Sequence, residues 1–228
     1  MTYLKIAHRG ACAYAPENTL LSLRKGFELG ADALECDVHL CKSGEPVVIH
    51  DETLSRTTNG KGKVREHTLA QLKTLDAGQG ETIPTLAEYL DALGKHTIFI
   101  EIKTAEAALA VAGLVHRYVE RGILQYEQMI VISFDWQSLL QVKAFDPEIL
   151  ISASPRTKQA SDGFIRKAKD AGMIGINPDI RHLTKPTVQL AHKHGLQVFT
   201  WTANSKADIA KAQKLGVDGI MSDFPDRL

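Results

Sequence analysis

A chain of 228 residues, 44% hydrophobic and 24% charged, can bury one sizeable core, which excludes an intrinsically disordered polymer. Its 27 basic residues balance 27 acidic ones, so no overall field recruits nucleic acid or an anionic membrane surface. Cys12, Cys36 and Cys41 form neither a disulfide framework nor a CxxC zinc site, and no run approaches the roughly eighteen apolar residues of a spanning helix.

The N-terminal run MTYLKIAHRG meets charge and histidine too early for a signal peptide, so the expected setting is the cytoplasm, without stable membrane insertion. No oligomeric partner is assigned by the sequence. A first β-branched run ends at IAH (6–8), and Leu20, Leu23 and Phe27 then repeat at helical spacing before Gly30. The second strand is ALECDV (33–38). PVVIH (46–50) follows after only five residues, too few for a helical crossover but enough for a hairpin, which folds His50 back toward the second strand.

Residues 51–82 read as an elaborated loop with a short helix over 68–75, and Leu86, Leu90 and Leu93 mark the next helix. Further strands are expected at TIFIEI (97–102), MIVIS (129–133), EILIS (148–152), MIGIN (173–177), LQVFTW (196–201) and VDGIMS (217–222). Gly30, Gly122, Gly172, Gly195 and Gly216 each stand between a helical run and a strand, where a helix end favours a left-handed residue. Pro186 fits an early helical position, and Ser205 with Asp208 fits a helix N-terminus. The count of eight strands, excluding PVVIH, predicts an α/β fold: a single-domain TIM (β/α)8 barrel over 1–228, with a β-hairpin excursion after the second strand. A doubly wound sheet is the competitor, but neither GxGxxG nor GxxxxGK[ST] follows any strand.

Strand parity puts Glu35 and Asp37 on one face, and Glu101 and Lys103 on one face with Phe99, all near strand carboxyl ends. Three gathered carboxylates repel one another unless a cation intervenes, which points to one hard divalent ion, Mg2+ or Ca2+; ion pairing with Arg9 and Lys103 is the alternative. His8 and His50 have the residue type for proton transfer near neutrality, and Arg9 and Lys103 for binding phosphoryl oxygens. His39 reads as a rim or structural residue, Trp201 as an apolar wall or the closing side chain of a barrel layer, and Asn18 or Thr19 as the cap of the first helix.

Several ordered motifs together resemble the glycerophosphodiester phosphodiesterase family: HRG (8–10), PENT (16–19), ECDV (35–38), VVIHD (47–51), RTTNG (56–60), EIK (101–103), WT (201–202) and DG (218–219). The resemblance implies a TIM-barrel hydrolase that uses a divalent cation to release glycerol 3-phosphate and an alcohol from a small glycerophosphodiester. It implies Glu35, Asp37 and Glu101 as metal ligands, His8 and His50 as the catalytic pair, Arg9 and Lys103 as phosphate contacts, and Trp201 beside the glycerol group. A lysophospholipase D-like activity and a non-catalytic phosphodiester-binding barrel are the alternatives. The four residues at 79–82 are a short segment for the family, which weighs against a long lipid tail. Base and acid are not divided between the two histidines, nor is water attack separated from a cyclic phosphate route.

Overall fold

Strands of period two alternate with amphipathic helices through a computed structural model that describes residues 3–156 and 160–228. The first elements are β1 (Leu4–Ala7), α1 (Leu20–Glu28), β2 (Ala33–Leu40), β3 (Pro46–Val48), α2 (Leu69–Leu72) and α3 (Leu86–Asp91). Then come β4 (Thr97–Ile102), α4 (Ala108–Glu120), β5 (Met129–Ser133), α5 (Trp136–Phe145), β6 (Leu150–Ala153) and α6 (Asp162–Asp170). The chain finishes with β7 (Gly175–Ile176), α7 (Lys185–Lys193), β8 (Gln197–Thr200), α8 (Lys206–Leu215) and β9 (Gly219–Ser222).

Eight strands pair in parallel, and β1 closes the ring by pairing with both β2 and β9. The result is the expected (β/α)8 barrel. The remaining strand, β3, pairs antiparallel with the end of β2, Val38 opposite Val48 and Leu40 opposite Pro46, so PVVIH is the expected hairpin excursion. Several expected elements are shorter than the pattern indicates, among them 46–50, 196–201 and 217–222, which are strands only at Pro46–Val48, Gln197–Thr200 and Gly219–Ser222. The helix expected over 68–75 stops at Leu72, with Thr74 and Leu75 continuing in three-residue turns, and the strand expected over 173–177 is paired as a strand only at Gly175–Ile176.

Alternation sorts the strand side chains into two cores. Leu34, Cys36, Val38, Ile100, Val131 and Val198 face outward and pack under the helices. Ile6, Ala33, Phe99, Ile130, Phe199 and Met221 fill the barrel axis. Phe99 and Phe199 meet edge to face with centroids 4.8 Å apart. Glycine gives Phe199 its space: a Cβ on Gly219 would lie 2.8 Å from the Phe199 ring, and one on Gly175 3.0 Å from it. A third cluster of Val47, Ile49, Leu54, Val64, Leu72 and Ile83 lies beneath the 51–82 loop. This small core anchors the excursion that carries His50.

The axis core generates a test of the closed barrel. Phe199→Ala removes a fully buried ring between two glycines that cannot fill the space, so urea unfolding should show a loss of about 3–5 kcal/mol. An unchanged midpoint would mean that this ring does not support the barrel.

Candidate active site

Glu35 and Asp37 reach the inner carboxyl end of the barrel because β2 alternates, and Glu101 stands directly opposite Asp37 in the β2–β4 register. Glu35 and Asp37 are only 2% and 1% exposed. One carboxylate oxygen from each of Glu35, Asp37 and Glu101 lies within 4.8 Å of the other two. Burial and the neighbouring Asp37 charge push the Glu35 carboxyl up to about 8. Burial also disfavours ionised Asp37, but the cations of Lys103 and Arg9 outweigh it and hold the group at about 2. Burial raises Glu101 against the pull of Lys103.

Two cations touch this cluster. The Lys103 ammonium lies 3.0 Å from Asp37 Oδ1 and 2.7 Å from Glu101 Oε1. Arg9 adopts a left-handed φ of 53°, which aims its backbone N–H at Glu35 Oε2, 2.9 Å away. Gly10 follows with φ 74°, and a Cβ there would lie 2.5 Å from the Ser22 backbone, so the turn into α1 requires glycine. The Arg9 guanidinium donates to Glu17 at 2.9 Å and stands 3.4 Å from Asp37.

His8 and His50 enter the same pocket, each backed by an aspartate. His8 Nδ1 is 2.6 Å from Asp223 Oδ1, while Nε2, on the opposite edge of the ring, is 3.9 Å from Glu35. Burial disfavours the His8 imidazolium, but Asp223 and Glu35 outweigh it and raise the pKa. His50 Nδ1 is 2.6 Å from Asp51 Oδ1. Here burial prevails, aided by Lys103 and Arg9, and the pKa is lowered despite Asp37 and Asp51. Arg56 donates to both Asp51 oxygens and forks onto Glu17, which returns to Arg9.

The pocket encloses about 520 Å³ including its mouth, and its lining includes all eight site residues expected from the sequence. Its apolar side is Ile132, Phe134, Met221 and Trp201. The Trp201 indole and the Phe134 ring meet edge to face with centroids 5.7 Å apart, and Trp201 Nε1 donates to the Asn177 carbonyl at 2.7 Å. His39 lies outside this lining, is buried and bonds the His50 carbonyl at 3.0 Å, which makes it a structural residue.

Sequence reading missed several polar supports. Asn18 was a candidate helix cap, but Thr19 caps α1, and Asn18 instead donates to Asp37 Oδ2 at 2.8 Å while accepting from the Asp37 N–H. Asp51 was visible within a motif yet had no role. Asp223 was not singled out; its parity with Met221 along the extension of β9 is the one sequence signal that could have found it.

The carboxylate set fits a hard divalent cation: three oxygen donors converge, and burial without a cation drives Glu35 toward protonation. Comparison with known proteins identifies the family. The Glycerophosphoryl diester phosphodiesterase family matches residues 8–227. A glycerophosphodiester phosphodiesterase of Caldanaerobacter subterraneus is 35% identical, covering 100% of this chain and 97% of its own length. One from Bacillus subtilis is 34% identical, covering 98% and 84%. The structure of an Oleispira antarctica phosphodiesterase in complex with the product sn-glycerol-3-phosphate superposes with a TM-score of 0.89 at 30% identity, covering 97% of this chain and 93% of that one.

The raised Glu35 pKa has a testable sign. The unfolded carboxyl titrates near ~4.3, so folded protein in chelator binds the extra proton and loses stability as pH rises from there through about 8. Glu35→Gln removes that loss. Urea unfolding of both proteins across this range should show their stability difference growing with pH; parallel curves would refute the shift.

Proposed function

The chain belongs to the glycerophosphoryl diester phosphodiesterase family, and we propose that it hydrolyses small glycerophosphodiesters to glycerol 3-phosphate and an alcohol. The observation that carries this reading is the meeting, in one pocket, of three clustered carboxylates with two aspartate-backed histidines. Residues 1–228 act as one barrel unit. The proposed setting is the cytoplasm, supported by three free cysteines; no helix among the described residues is long and apolar enough to cross a membrane.

Glu35, Asp37 and Glu101 would hold one divalent cation, Mg2+ or Ca2+, which supplies positive charge for the phosphoryl oxygens. Arg9 and Lys103 add donors on the same side, and their positions are held by the carboxylates they pair with. Trp201 and Phe134 wall the opposite side, where they exclude water from the carbon skeleton of one arm.

The two histidines divide the proton transfers. His50 is neutral near pH 7 because its pKa is lowered, and it takes the proton of the attacking hydroxyl at Nε2. Asp51 fixes the ring by its contact at Nδ1. His8, whose raised pKa favours the protonated ring, is assigned as the acid that delivers a proton from Nε2 to the departing alcohol. Asp223 is the positioning residue behind it.

Product identification across glycerophosphocholine, glycerophosphoethanolamine and a lysophospholipid tests the reaction. Glycerol 3-phosphate plus free alcohol should form from the first two, stop on chelation, and return with Mg2+ or Ca2+. Calorimetric titration should show weaker cation binding to Glu101→Gln. Full turnover after verified metal removal would overturn the cation requirement, and faster cleavage of the lysophospholipid would replace the substrate assignment.

The proton roles predict a bell-shaped pH profile whose acid limb belongs to His50 and whose alkaline limb belongs to His8. His8→Ala and His50→Ala should each slow turnover by roughly 10²- to 10⁴-fold. Asp223→Asn removes the anion that supports the His8 imidazolium, so the alkaline limb should move to lower pH while the acid limb stays. Movement of the acid limb alone would reverse the assignment.

A further inference from the structure

Behind His8, at the ring edge opposite the three carboxylates, a different set of ligand atoms converges. Cys12, in the turn between β1 and α1, donates its S–H to Asp223 Oδ1 at 3.1 Å, the same oxygen that lies 2.6 Å from His8 Nδ1. One ligand atom from each of His8, Cys12 and Asp223 lies within 4.8 Å of the other two, and all three residues are partly exposed. The second Asp223 oxygen accepts from Asn204 Nδ2 at 2.6 Å, an outer contact that orients the carboxylate.

The chemistry of this set differs from that of the carboxylate cluster. Imidazole nitrogen, sulfur and a single carboxylate oxygen suit a borderline-soft ion, whereas three carboxylates suit Mg2+ or Ca2+. A tetrahedral zinc site separates its ligand atoms by about 3.3–3.6 Å, so the present contacts would open by roughly half to three-quarters of an ångström. Surface side chains can make that change, and water can take the fourth position.

We propose that His8 Nδ1, Cys12 Sγ and Asp223 Oδ1 form an inhibitory site for Zn2+, separate from the cation site at Glu35, Asp37 and Glu101. Binding displaces the Cys12 thiol proton to solvent and removes the proton from His8 Nδ1. Burial holds the Cys12 thiol protonated in the free protein, so the thiolate forms only with the metal. The metal-bound ring keeps its Nε2 proton but is no longer an imidazolium, and a neutral imidazole N–H is too weak an acid to protonate a leaving alcohol. The inhibition rests on the proposed acid role of His8; the binding does not.

Cobalt and zinc titrations of the reduced full chain, with Mg2+ saturating, test both parts. Co2+ should produce a thiolate-to-metal absorption band that Zn2+ removes, and Cys12→Ser, folded by circular dichroism, should lack it. Zn2+ should inhibit diester hydrolysis, and Cys12→Ser should weaken that inhibition by at least the roughly 10- to 100-fold that losing an outer contact costs a metal site. Absence of the band overturns the site, and equal zinc inhibition of both proteins overturns it as well by placing the ion among the carboxylates. If neither protein hydrolyses a diester before zinc is added, the phosphodiesterase reading fails, while the band still decides the metal site.

Discussion

The carboxyl end of the barrel is governed by the burial of three carboxylates against two cations. Glu35, Asp37 and Glu101 carry three negative charges when ionised, and Arg9 and Lys103 return two, which leaves one in excess inside a nearly closed space. Burying an uncompensated charge is costly, and protonation of Glu35 is how the chain relieves it by itself. A dication held there, as proposed, would turn that excess positive, the sign that attracts a phosphodiester anion. The same residues that are in conflict alone are therefore matched to a cation and substrate together, which is why the proposed reaction and the local electrostatics support one reading.

Holding that cluster in place requires the loops to be rigid where they meet it. Arg9 N–H and Asn18 each fix a carboxylate from the β1–α1 turn, both from left-handed backbone positions. A chain of ion pairs then runs from His50 through Asp51, Arg56 and Glu17 to Arg9, joining the excursion after β3 to that turn. Exposed pairs contribute little stability singly. Here they restrict one another, and the small core beneath the 51–82 loop supplies the burial that the ion pairs lack.

Much of this was legible because barrel strands obey a period of two. ALECDV and TIFIEI disclosed which carboxylates share a face, and the five residues before Pro46 were too few for anything but a hairpin, which returned His50 to the site. By the same period Asp223 falls on the face of Met221, but its partner is not named. It lies 215 residues from His8, and only closure of β1 on β9 brings them together. Of the two caps the sequence offered, Thr19 serves α1, while a φ of 59° turns Asn18 toward Asp37, a role that local propensity does not disclose. Local propensity identified the residue type, whereas closure of the ring determined its partner.

The pocket's two sides also differ in what they can select. Charges crowd one side, where Arg9, Lys103 and the carboxylates are the groups proposed to meet the phosphate, a feature that every phosphodiester shares. Ile132, Phe134, Met221 and Trp201 form the other side, and none of them offers a charge to an alcohol group. Trp201 has its single donor committed to the Asn177 carbonyl, so it acts on a substrate through shape and apolar contact. On the proposed function, discrimination among substrates would come from the size and hydration of the arm placed against that wall, and the rate of the phosphoryl step from the charged side. Phe134 and Trp201 follow β5 and β8, whereas His8 and His50 follow β1 and β3, so on the proposed function changes to that wall are separable from changes to the acid and base.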